Sequence, residues 1–198
     1  MITAAELAEF APGANPYFAP ALSGAASQFE ITGPRLAHWL GQCHHESQGF
    51  TRLSENLNYG AVRLVAVWPS RFPTAAAAQP FANNPAALAN KVYGGRMGNT
   101  EPGDGWTFRG RGPIQITGRD MYRQAGEALG QPLEHSPEMV MTPTIGALTA
   151  AWVWFVKGLN ALADADDIEG ITRRINGGLE GLDARRHEVA VARLIWPA

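Results

Sequence analysis

Residues 32–60 read TGPRLAHWLGQCHHESQGFTRLSENLNYG, a stretch that contains both a helix and the place where it stops. Pro34 suits the first helical position, where its missing N–H costs nothing, and Thr32 or Gly33 suits the cap. Leu36, Trp39, Leu40 and Cys43 recur at the i, i+3, i+4, i+7 spacing of one buried face, which predicts a helix from Pro34 to about Ser47. With Leu36 at zero and about 100° per residue, the apolar stripe centres at about 350°, Glu46 projects at about 280° and Gln42 at about 240°. Glu46 is therefore expected on the flank between core and solvent, where partial desolvation tunes a carboxyl group. His45 is expected to point away from the core. A second acid, Glu55, follows nine residues after Glu46, in a segment with no period.

The composition limits what these acids could serve. A chain of 198 residues suits one domain, or one with a modest insertion, and is long enough for a real core. A hydrophobic fraction of 45% with 17% charged residues describes a globular chain with a lightly charged surface. Net charge is −2, so the basic footprint that nucleic acid requires is missing overall. Arg173, Arg174, Arg185, Arg186 and Arg193 make only a local basic surface. The single cysteine, Cys43, excludes an intrachain disulfide and any cysteine zinc cluster, and its place on the apolar stripe predicts a core residue. The N-terminal MITAAELAEF has no basic n-region, so the chain is expected to be made in the cytoplasm without a signal peptide. No apolar run approaches a membrane span, and membrane insertion is not expected.

Residues 3–30 read as two short helices broken by the Pro- and Gly-rich APGANPYFAP. Residues 60–93 are rich in alanine and proline and read as a small helical insert. Eight glycines between Gly94 and Gly118 predict a loop, with short strands at WTF and IQI. Helical patterns resume at Asp120–Leu129 and at Thr144–Gly158, where Trp152, Phe155 and Val156 suggest an apolar face. Helices at Thr172–Ile175 and Ala184–Ile195 close the chain around NGGLEGL. The class is mainly α with minor β, without repeats.

Several chemistries fail on spacing. His45-Glu46 has Gly49 where a zinc-protease HExxH pattern needs its second histidine. Gly110-x-Gly112 has Gln115 where a dinucleotide fingerprint needs glycine. Asp164-Ala-Asp166-Asp167 lacks the glycine and distal glutamate of a calcium loop and reads as a solvated helix start. What remains is a carboxylate pair with neutral hydrogen-bonding residues: Gln42, Asn56, Asn58, Tyr59, Gln115, Thr117, Tyr122 and Asn176. Amides and hydroxyls suit sugar OH and acetamido groups, and glycoside hydrolysis uses two carboxyls. On these features alone, a glycosidase and a set of unrelated surface residues both remain open. Thr117 also fits the cap of the next helix, Gln115 a buried structural amide, and the tryptophans core positions, Trp106 excepted.

HHESQGF, SENLNY, GDGWTFRGRGPIQITGRDMY and INGGLEGLDARR together resemble the catalytic domain of glycoside hydrolase family 19, over roughly residues 36–195. That family holds plant-type chitinases and bacteriophage endolysins. The SENLNY stretch and Tyr93–Met97–Gly98–Asn99 resemble the endolysin branch more closely. The resemblance implies a two-lobed lysozyme-like helical domain with a groove between the lobes. A core lobe of residues 1–58 plus 106–198 would carry an inserted lobe at about 59–105. It implies Glu46 as general acid, Glu55 as general base and Thr117 as a hydroxyl that helps hold the attacking water, with inversion at the anomeric carbon. Gln115 and Asn176 would contact substrate, with Tyr59, Asn58, Tyr122 and Trp106 along the groove. Arg186 would belong to an ion network behind the acid, supported by Gln42. No metal and no organic cofactor is implied, and His44 and His45 are spectators.

Three functions compete on this reading. The first is a monomeric endolysin that hydrolyses the peptidoglycan glycan strand in the periplasm after release from the cytoplasm. The second is a chitinase, although secretion and disulfides are expected there. The third is a non-catalytic binding module, which an intact Glu46, Glu55, Gln115 and Thr117 set argues against.

Overall fold

The structure is a computed structural model that describes residues 1–197. It is built from α1 (Ala4–Phe10), α2 (Phe18–Gln28), α3 (Pro34–Ser47), α4 (Ala61–Val67), α5 (Ala75–Ala78) and α6 (Pro85–Tyr93), followed by α7 (Asp104–Thr107), α8 (Arg119–Leu129), α9 (Pro143–Val156), α10 (Leu159–Asp164), α11 (Ile168–Asn176) and α12 (Leu182–Ile195). The fold is mainly helical. Local chemistry explains the starts. Thr3 and Glu6 form a reciprocal capping box on α1, and Pro34 and Pro143 occupy the first turns of α3 and α9.

Apolar side chains fall into two clusters. The larger gathers residues from α1–α3 and α8–α12, with Trp39, Leu40, Cys43, Trp154 and Ile171 all at 0% exposure. Helix α9 is its axis, buried from Ile145 to Trp154 on nearly every side. The smaller cluster joins Leu57, Leu64, Phe72, Ala78, Leu88, Ala89 and Val92, with Tyr59, Trp68, Tyr93 and Trp106 packed against it.

Helix α3 lies most extensively on α12, and Gly41 is where they meet. A Cβ there would stand 2.7 Å from Val189 Cγ2 and 2.9 Å from the Val189 backbone nitrogen, which cannot swing away. Gly41→Ala should therefore separate the helices despite its better helix propensity, at a net cost of about 1–2 kcal/mol. Thermal melting should drop by roughly 2–8 °C. An unchanged or higher melting point would show that the helices have slack.

Three sequence expectations change. WTF is not a strand: Gly103, at φ 92°, lets the chain turn into the short helix α7. IQI contributes only an isolated bridge, in which Ile116 and Arg111 exchange backbone hydrogen bonds of 2.9 and 3.1 Å. Positive φ values at Gly112, Gln115 and Gly118 prevent any longer extended run. Phe155 and Val156 are 59% and 53% exposed, because α9 reaches the surface at its last turn. The acidic run is exposed and starts α11, as expected, and it also serves as a junction. Asp164 pairs with Arg35 at 2.7 Å, Asp166 with Arg193 and the buried His38, and only Asp167 caps a helix, accepting from Gly170 N–H.

Candidate active site

Glu46 stands in the last turn of α3. The helix ends abruptly because Gln48, Gly49 and Phe50 all take positive φ, while Ser47 Oγ accepts from Phe50 N–H at 2.8 Å. The reversal sends residues 51–58 back along the 110–112 segment, as an extended strand-like stitch. Gly112 N–H donates to Leu53 O, and Glu55 N–H to Gly110 O, both at 2.9 Å. A residue with no periodic signal is thus placed by backbone hydrogen bonds to a distant loop.

The two carboxylates are held differently. Glu46 Oε1 accepts from Arg185 Nη2 at 2.5 Å, and Arg185 Nη1 donates to Gln42 Oε1 at 2.6 Å. Arg185 is only 2% exposed and Gln42 is fully buried, so this is an internal charge-assisted network between α12 and α3. Among the described residues Glu55 has no cationic partner within ion-pair distance. Its Oε1 accepts from Gly110 N–H at 2.5 Å and its Oε2 from the Tyr93 hydroxyl at 2.7 Å. Gly110 permits this approach, since a Cβ would sit 3.3 Å from the Glu55 carboxyl and 3.1 Å from Gln115 Oε1.

A cavity of about 320 Å³ opens beside Glu55, lined by Arg52, Asn56, Asn58, Tyr59, Trp68 and Gln115. Tyr59 and Trp68 meet edge-on with ring centres 5.4 Å apart, and Gln115 is steadied by an Nε2 hydrogen bond to Gly112 O at 2.8 Å. The Thr117 hydroxyl, half-buried, donates to Gln115 O at 3.1 Å and keeps its lone pairs free to accept. It does not cap α8, whose cap is Gly118 without a side-chain bond.

The structure therefore brings Glu55, Asn58, Tyr59 and Gln115 to one cavity and ties Gln42 to Glu46. Other expected site residues lie elsewhere. Arg186 is exposed and pairs with Glu169 and Asp183; its neighbour Arg185 backs Glu46. One residue along a helix is about 100° of rotation, and Arg185, Val189 and Ala192 share the face turned to α3. Tyr122 is fully buried rather than in the groove, donating to Arg109 O at 2.8 Å and accepting from Arg111. Its ring packs on Phe108, so it supports the loop that carries Gly110 from behind. Trp106 packs on the smaller cluster, under the Arg109 guanidinium 3.8 Å from its ring, and Trp68 takes its place in the cavity wall. Asn176 is exposed at the end of α11, its amide 3.4 Å from Glu180 O. His45 lies outside both apolar clusters, half-buried beside Gly181; burial first, then Arg185, lowers its pKa and favours the neutral ring. Burial and the Glu46 charge push the Cys43 thiol well above its usual range. Among the described residues, no group of three or more His, Cys, Asp or Glu is placed to hold a metal ion.

Comparison with known proteins gives the site its family. The model of the family described as "Chitinase class I" matches residues 90–170. A "Glycosyl hydrolase family 19 domain-containing protein" of Haemophilus influenzae is 43% identical over 152 residues, which cover 75% of this chain and 74% of that protein. The chain belongs to glycoside hydrolase family 19. An acidic 27 kDa endochitinase of Solanum lycopersicum is 38% identical to this family 19 hydrolase over 93 residues, 37% of this chain and 38% of that enzyme. The crystal structure of chitinase C from Streptomyces griseus HUT6037 superimposes with a TM-score of 0.68 over 98% of this chain and 92% of its own. At 21% identity that likeness speaks to the fold alone. The matched segment 90–170 contains Tyr93, Gly110, Gln115 and Thr117 of the family 19 hydrolase, whereas Glu46 and Glu55 lie before it.

Proposed function

We propose that this family 19 hydrolase is a peptidoglycan glycosidase of the endolysin type, cutting β-1,4 bonds of the glycan strand with inversion. Glu46, its Oε1 engaged by Arg185, protonates the glycosidic oxygen from Oε2 as the bond to the anomeric carbon breaks. Water attacks that carbon from the opposite face, and its proton passes to Glu55. Thr117 accepts a hydrogen bond from the water and so helps to aim it. The smaller apolar cluster, drawn mostly from the insert at about 59–105 with Leu57 and Trp106 at its edges, and the larger one would form the two lobes flanking the strand. The enzyme would act as a monomer, be made in the cytoplasm and reach the wall in the periplasm, where cleavage lyses the cell.

Arg52 carries the choice of substrate. It lines the cavity beside Glu55, and its guanidinium makes no hydrogen bond or ion pair with the described residues. Chitin offers a cation only neutral hydroxyl and acetamido oxygens, whereas the stem peptides of peptidoglycan add carboxylates. Arg52→Gln should raise the apparent KM on purified peptidoglycan roughly three- to fivefold, the weight of an exposed ion pair, and leave N-acetylglucosamine hexamer turnover unchanged. Equal effects on both substrates, or none, would remove the argument for an acidic glycan. Mass spectrometry of the released fragments names the bond through the sugar at the reducing end. Chitin is the second reading, favoured by the neutral amides and aromatic rings of the cavity and by the names of the plant relatives. Hexamer hydrolysis with intact peptidoglycan would establish it.

A further inference from the structure

Glu55 is a loop residue with a flexible side chain, yet both its oxygens are occupied by donors from different parts of the fold. Gly110 N–H comes from the Gly-rich return, and the Tyr93 hydroxyl comes from the last residue of α6, in the smaller apolar cluster. Tyr93 is itself anchored. Its carbonyl accepts from Asn99 Nδ2 at 3.0 Å, and Asn99, 1% exposed, accepts at Oδ1 from Arg119 N–H at 2.9 Å. A continuous strut thus runs from the start of α8 through Asn99 and Tyr93 to the carboxylate.

We propose that Tyr93 is a positioning residue for the reaction: its hydroxyl locks Glu55 in one rotamer and leaves only the cavity-facing lone pairs to receive the proton from the attacking water. This rests on the assignment of Glu55 as the base. A free glutamate spreads over many rotamers, and most of them aim its oxygens away from any one water. A phenol suits the task better than an ammonium, because it supplies a donor without a charge that would compete for the carboxylate. Burial, then the nearby Glu55 charge, push Tyr93 ionisation well above its usual range, so the phenol remains a donor wherever the enzyme works. The buried Asn99 fixes the end of α6 from which the ring projects, and so sets how far the hydroxyl reaches.

A purely structural Tyr93 would act through its ring, which phenylalanine retains. Steady-state kinetics on purified peptidoglycan and on N-acetylglucosamine hexamer separate the two roles. Tyr93→Phe should lower kcat about tenfold with KM within about twofold, since the interaction matters to reaction rather than to binding. Melting should stay close to that of the parent. In a Glu55→Gln background, Tyr93→Phe should cost nothing further, because the two residues act as one unit. Parental kcat in Tyr93→Phe beside an inactive Glu55→Gln would overturn the role of Tyr93 and leave the base in place. Additive losses in the double variant would also overturn it, by placing the action of Tyr93 elsewhere. A Glu55→Gln enzyme at the parental rate would instead remove the base, and the strut with it.

Discussion

Glu46→Gln should reduce hydrolysis by roughly 10²–10⁴-fold, the usual weight of general acid catalysis. The amide has the shape of the acid and keeps an oxygen for Arg185 Nη2, so the network between α3 and α12 survives in outline. It has no proton to give to a departing sugar oxygen. The same change removes the carboxylate paired with Arg185, a guanidinium that is 2% exposed, and leaves Gln42 as its remaining side-chain partner among the described residues. A stability loss of about 1–2 kcal/mol should follow, visible as a fall of a few degrees in melting temperature. Clearing of permeabilised Gram-negative cells, reducing-sugar release and circular dichroism measure these effects. A folded variant that works at the parental rate would mean the acid lies elsewhere.

Glu55→Gln should cost a similar roughly 10²–10⁴-fold, but by a different route. The amide oxygen can face Gly110 N–H while its NH₂ donates to the Tyr93 oxygen, so the loop has no reason to move. The water then meets a group that cannot take its proton. Leaving-group chemistry tells the two variants apart. An activated aryl glycoside needs little protonation, so it should restore much of the rate to Glu46→Gln and little to Glu55→Gln. Rescue of both, or of Glu55→Gln alone, would reverse or remove the assignments.

How much of this was legible in the sequence varies with the distance over which each feature is determined. Helix α3 is a local matter. Its proline, its apolar spacing and the Gly49 just past its end all lie within a few turns, and Pro34 to Ser47 is helical as expected. The flank position of Glu46 follows from the same spacing. Arg185 also carries a readable signal, since it shares a face with Val189 and Ala192, but the family resemblance points to Arg186 one position away. Tyr93 carried no such signal. Its contact with Glu55 spans 38 residues and depends on how α6 is anchored through Asn99. WTF misled for a related reason. Aromatic and β-branched residues favour strands only when a partner strand exists, and Gly103 and Asp104 start a helical turn instead. Tyr122 looked like a sugar ligand because a tyrosine beside a Gly-rich motif can face either way. Its burial is decided by Phe108, Arg109 and Arg111, none of them on its own helix.

The Arg185 bridge also sets an order of events during synthesis. A ribosome adds roughly 5–20 residues per second, so α3 and the Glu55 loop emerge several seconds before α12 is available. During that interval the 0%-exposed face of Trp39, Leu40 and Cys43 lacks its most extensive partner, and Glu46 lacks its guanidinium. Under the proposed mechanism the nascent chain is thus catalytically silent. On that mechanism hydrolytic competence waits for α12 to dock on α3, and chains cut short before α12 should lack glycosidase activity.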